Sequence, residues 1–194
     1  RQPVSCAELR RRFVDKLGFS SQSVMAVASV TPILRYLNGI LVHAETIAWN
    51  DERQSQLIAI AERYYREQVS AGDVFARGDL LLELHESDLP ALANDIPWTP
   101  VLIGELLSRN SRVSLIGNRR NAYVFNHVVG ASTSFADVVA LVLDRHFQGA
   151  TSLAELSTFL REAHVIAKTV TPKMLETAPT LVVSGLEISL KGAT

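Results

Sequence analysis

Three times the chain writes an apolar residue followed by Thr-Pro. The copies are Val30-Thr31-Pro32, Trp98-Thr99-Pro100 and Val170-Thr171-Pro172, spaced 68 and 72 residues apart in a chain of 194. A pattern that returns at a near-constant period constrains a fold strongly, because each return marks the same supersecondary unit. The flanks repeat as well. Upstream stand "SCAEL" at 5–9, "ARGDL" at 76–80 and "SLAEL" at 152–156. The outer two agree at four of five positions, and the middle one keeps only the acid–Leu pair. Downstream, each pass ends in strand-like runs around a turn: "ILVHAETIAW", "RVSLIGNRRNAYVF" and "TLVVSGLEISL".

Each piece has a physical reading. Thr caps the free amides of a helix start, and Pro at the first helical position needs no donor and has its φ already set. The Ser of "SxAEL" caps in the same way, with an early acid favoured by the helix dipole. The apolar residues of "AELRRRFVDKLG" and "LAELSTFLREAHVI" recur at three-to-four spacing, which predicts helices. The terminal runs, rich in Val, Ile, Leu and aromatics and turning at Gly117-Asn118 or Ser184-Gly185, predict hairpins. Two passes carry a further helix in front, over 51–69 and 134–147. The chain opens at Arg1 rather than Met and the first pass has no such helix, so we expect a fragment with further sequence upstream.

The expected fold is mainly α with short β-hairpins (α+β). Helix, helix, Thr-Pro helix, hairpin resembles the winged-helix variety of helix-turn-helix domain. The units are then 1–50, 51–130 and 131–194, with the Thr-Pro helix in the recognition position and the hairpin as wing. The resemblance rests on the order and spacing of elements across nearly the whole chain, not on a signature motif. A single α+β domain with three well-capped helices is the alternative.

The resemblance implies binding of duplex DNA, where a recognition helix meets base edges and wing and helix ends meet phosphates. Transcriptional regulation or recognition within a larger DNA-processing protein would follow by analogy of fold. Candidate contacts are Arg35 in the first unit and Thr99, Arg109, Arg112, Asn118, Arg119, Arg120 and Asn121 in the second. Arginine suits phosphate and guanine because its planar fork donates two hydrogen bonds at once. The triplet Arg10, Arg11 and Arg12 is a weaker signal, since neighbours on a helix point ~100° apart. In the third unit Pro179 cuts the Thr-Pro segment short and the wing is acidic, so that copy is expected to meet protein, as a homodimer or with another partner. The rival to DNA binding is accordingly a protein–protein interaction or oligomerisation scaffold.

Charge is distributed unevenly around a net of -1. Residues 1–50 hold six basic and three acidic residues, 51–100 four and ten, and 101–130 four and one. The acidic 73–95 stretch should face away from a phosphate backbone. Lone Cys6 forms no intramolecular disulfide and suits a reducing compartment, so a cytoplasmic or nuclear setting is expected. No apolar run approaches the ~18 residues that would mark a membrane span. His43, His85, His127, His146 and His164 are scattered without metal-ligand spacing. Without a phosphate-binding glycine loop or a nucleophile elbow, no catalytic residue, metal or cofactor is expected in this segment.

Overall fold

The computed structural model describes residues 2–27, 32–37, 39–129 and 133–192. The fold is mixed α+β, with three small antiparallel sheets strung along the chain. The first pass contains β1 (Val4–Ser5), α1 (Cys6–Arg10) continued by a π-helical turn over Arg11–Asp15, α2 (Ser21–Val27), β2 (Ile33–Leu37) and β3 (Ile40–His43). The second begins with the long helix α3 (Asp51–Ala71). It continues through β4 (Ala76–Arg77), α4 (Gly78–His85), α5 (Pro100–Leu107), β5 (Val113–Ile116) and β6 (Ala122–Phe125), then a short α6 (Asn126–Val129). The third runs α7 (Phe135–His146), β7 (Ala150–Ser152), α8 (Leu153–Glu162), β8 (Leu181–Ser184) and β9 (Glu187–Leu190).

All three sheets share one topology. In each, a short strand leading into a helix pairs antiparallel with the last strand of the following hairpin, giving the orders β1-β3-β2, β4-β6-β5 and β7-β9-β8. Ala76 lies opposite Tyr123, and Val113 opposite Phe125.

The strand-to-helix junctions explain the "SxAEL" echo. The Ser5 side chain accepts from the Glu8 amide at 3.0 Å. Ser152 and Glu155 form a reciprocal capping box at the start of α8. The middle copy has Arg77 in the cap position and no side-chain cap of its own. There the Asn121 Oδ1 atom, arriving from the turn of the hairpin, accepts from the Asp79 amide at 2.8 Å. A cap lost from the local sequence is thus replaced from 42 residues away.

The Thr-Pro expectation holds fully once. Thr99 caps α5 by accepting from the Leu102 amide at 3.1 Å, with Pro100 in the first turn. In the third pass only one 3-10 turn forms, Pro172–Met174, and the Thr171 side chain does not cap it. In the first pass the expectation fails: the residues after Pro32 are β2, not a helix. Leu34 and Tyr36 are buried while Arg35 and Leu37 are exposed, an alternation of period two that suits a strand. Pro is tolerated as the first residue of a strand, and the Pro32 carbonyl accepts from the Ala44 amide at 2.9 Å. The first hairpin therefore joins Ile33–Leu37 to Ile40–His43. Residues Ala44–Ile47, expected as strand, form a 3-10 turn. Thr31 itself lies outside the described residues.

The leading helices behave as amphipathic helices should. Asn50 caps α3, whose Leu57, Ile58, Ala61, Tyr64 and Tyr65 form a buried stripe. Ser134 and Asp137 box the start of α7, which buries Ala136, Val138, Val139, Val142 and Leu143. One continuous apolar cluster runs from Leu34 in the first unit to Ile188 in the third. No helix among the described residues is long and apolar enough to cross a membrane.

Candidate functional site

The basic cluster of the second hairpin is the natural place to look for a ligand, and most of it is already engaged by the protein itself. The turn from Ile116 to Ala122 lies against two neighbours. On one side is α5, where a Cβ on Gly104 would sit 1.9 Å from the Arg120 carbonyl oxygen. On the other is the loop after α8, where a Cβ on Gly117 would sit 2.2 Å from the Val165 carbonyl oxygen. Both glycines permit a backbone approach that a side chain would block. Gly117 also has φ +73°, which favours glycine for a second reason.

The side chains of the turn follow. Arg120, at φ +53°, donates to the Glu105 carboxylate at 2.5 Å. Arg109 lies 3.7 Å from the other oxygen of Glu105 and donates to the Ile33 carbonyl of the first unit at 2.9 Å. Asn118 accepts from the Ala167 amide at 3.0 Å, and its own amide donates to the Val165 carbonyl at 3.2 Å. Asn121 is 6% exposed. Besides capping α4, it donates to the Asp79 carboxylate at 2.9 Å and accepts from the Gly78 amide through its carbonyl at 2.7 Å.

Thr99 is likewise buried, at 7% exposure, and its hydroxyl donates to the Tyr36 carbonyl of the first unit. Expected as surface contacts, Thr99 and Asn121 are therefore internal polar groups. The reason is the cost of leaving a buried hydroxyl or amide without a partner. Arg35, expected on a helix, is an exposed strand residue. Arg112 stays largely in solvent, 3.6 Å from Glu62. Arg119 is exposed and makes no hydrogen bond or ion pair among the described residues.

Two carboxylates absent from the sequence-based candidates organise this region. Glu105 on α5 receives both Arg109 and Arg120. Asp79 takes Arg77 at 2.6 Å, Asn121 at 2.9 Å and, from the third unit, the His164 ring at 3.0 Å. Partial burial works against ionisation of Asp79, but donation from Arg77 and Asn121 outweighs it and holds the carboxyl at about 2. Nearby, donation from Arg66 draws the Glu62 carboxyl below its usual range. Sequence held partial signals for these residues. A glycine inside the apolar helix "PVLIGELL" points to close backbone approach, and the missing Ser of "ARGDL" points to a cap from elsewhere.

The third hairpin carries a different surface. Its strand β8 alternates, with Val182 facing solvent, and β9 buries Ile188. At the tip, Leu186 is 77% exposed, the most exposed large apolar side chain described. The one-turn helix Pro172–Met174 leaves Met174 exposed. Among the described residues no group of three or more His, Cys, Asp or Glu side chains could hold a metal ion. Comparison with known proteins returned no matching family model, no matching curated protein and no matching solved structure.

Proposed function

We propose that the three passes are winged-helix units and that the chain works as a protein–protein interaction scaffold, self-associating or engaging a partner through the third unit. The fold assignment is supported by the common order of strand, helix, hairpin and by the sheet order first-third-second in each pass. The observation that carries the scaffold reading is the state of the 117–121 turn. Its Arg120 and Asn121 side chains bind Glu105 and Asp79 within the second unit, and Asn118 accepts from the Ala167 amide of the third, so all three are engaged internally. Leu186 at the tip of the third hairpin, by contrast, is an apolar side chain 77% exposed, and it is there that we place the contact with a second copy or a partner.

The test is concentration-dependent light scattering on the intact chain and on Leu186→Ser. The scaffold reading through self-association expects an oligomer that the substitution weakens. A chain that stays monomeric throughout and is indifferent to Leu186→Ser removes that form of it.

Duplex DNA binding is kept as the second reading because Arg119 is exposed and unpaired among the described residues, with Arg112 and Arg35 also facing solvent. It predicts retention of a labelled random duplex at low salt, where phosphate contacts are strongest. Arg119→Ala would then lower the affinity and flatten its salt dependence. No retention at low salt removes the reading.

A further inference from the structure

Among the described residues, the first unit is open where the other two are closed. In the second unit the leading helix α3 packs against β4, α5 and β6, and in the third α7 packs against β7 and β9. By strand order and position, the counterparts in the first unit are β1, α2 and β3. Those three elements and the helix between them line an open groove of about 930 Å³. Its walls include Val4 of β1, Leu9 and Phe13 of the α1 helix, Phe19, Val24 of α2 and Leu41 of β3. Phe13 is 40% and Phe19 is 56% exposed. In the second unit the corresponding sheet and helix are sealed by Leu57, Ile58, Ala61, Tyr64 and Tyr65 of α3.

The rim is basic. The helix that supplies Leu9 and Phe13 also carries Arg10, Arg11, Arg12 and Lys16 against Glu8 and Asp15. Glu8 is shared by Arg11 at 2.8 Å and Arg12 at 2.6 Å, which leaves a net positive pair. Arg10 and Lys16 are exposed and form no ion pair among the described residues.

We propose that this groove receives one amphipathic helix of a partner protein, apolar at i, i+3 or i+4, and i+7, and acidic along the flank that lies beside Arg10, Arg11, Arg12 and Lys16. Two faces of the same topology in the same chain are covered by such a helix, and a docked helix is a common way to fill an apolar groove. The acidic flank follows from the basic residues of the helix on that side, because opposite charge beside an apolar seat steers encounter and disfavours basic competitors. The inference stands apart from the Leu186 surface, which lies in the third unit.

The probe is a fluorescein-labelled peptide of residues 134–147, the α7 segment, carrying Arg145→Glu, titrated against the intact chain by anisotropy. Saturable binding is expected, weakened about tenfold or more by Phe13→Asp or by Phe19→Asp in the protein, as for a central apolar contact. Both sites are exposed, so these variants should keep the unfolding midpoint of the parent, and Leu186→Ser should bind the peptide unchanged. A second peptide with native Arg145 and Asp144→Lys should bind more weakly, the gap closing as salt rises. Three outcomes overturn the proposal: no saturable binding to the parent chain, binding that survives both Phe substitutions, or equal affinity for the two peptides at low salt. Loss of self-association in Leu186→Ser, scored separately, reports on the scaffold reading alone.

Discussion

The turn at 117–121 in the second hairpin and the turn at 184–187 in the third close equivalent strand pairs, β5–β6 and β8–β9, in sheets of the same order. One is rich in Asn and Arg, the other carries Gly185-Leu186. Polarity alone marks the first as the ligand-binding tip and the second as a simple connection. The surroundings reverse this. The polar turn lies between α5 and the loop after α8, where backbone carbonyls, a free amide and the Glu105 carboxylate await partners. The apolar turn is tied to its own unit by the Leu153 amide, which donates to the Leu186 carbonyl, and by Glu187 opposite Ser152, while the Leu186 side chain faces solvent. A polar turn can therefore be internal mortar, and an apolar turn can be the part left for others.

That contrast can be broken most severely at the glycines that let the polar turn approach. Gly104→Ala places a methyl group on the Arg120 carbonyl, a clash of backbone against backbone that no rotamer relieves. We expect a loss of about 3 kcal/mol or more, read as a lower denaturant midpoint at unchanged slope. Next comes Asn121→Ala, which strips the α4 cap and one donor from the Asp79 carboxylate. Hydrogen bonds to a charged, partly buried group set its cost at about 2–3 kcal/mol.

A smaller effect should appear in acid. The folded Asp79 carboxyl titrates at about 2, below its ordinary value of 3.8. Its stabilisation is thus fully present above the unfolded value and is lost as pH falls through about 2. Asp79→Asn should therefore be less stable than the parent by roughly 1–2 kcal/mol near neutrality, with the gap closing towards about pH 2. A gap that stays constant with pH would break the assignment of Arg77 and Asn121 as the stabilising partners.

The smallest expected effects on stability are at the two solvent-facing tips. Arg119→Ala and Leu186→Ser should each change unfolding free energy by less than about 0.5 kcal/mol. A larger loss in either would show that side chain to be internal after all.

Much of the second unit was legible in the sequence because its signals are local. Thr99 and Pro100 mark a helix start, and Gly117 marks a hairpin. In the first unit the same Thr-Pro signal misled. The cap chemistry after Val30 competes there with the period-two alternation of Leu34, Arg35, Tyr36 and Leu37, and the strand wins, with α5 of the next unit packed against it. The candidate site was legible in residue type but not in direction: of eight named residues, Arg35, Arg112 and Arg119 face solvent without a hydrogen bond to a neighbouring unit, while Thr99, Arg109, Asn118, Arg120 and Asn121 hold the fold. A spare arginine and a structural one are spelled the same way.

By itself the sequence determined the repetition, the capped helix starts, the amphipathic leading helices and the glycine turns, since all of these arise from chemistry within a few residues. The tertiary structure alone decided which polar tips are consumed by neighbouring units, which carboxylates receive them, and which apolar faces stay uncovered. Those outcomes depend on groups brought together from 15 to 85 residues apart, where the cost of an unpaired buried group, not local propensity, selects the partner.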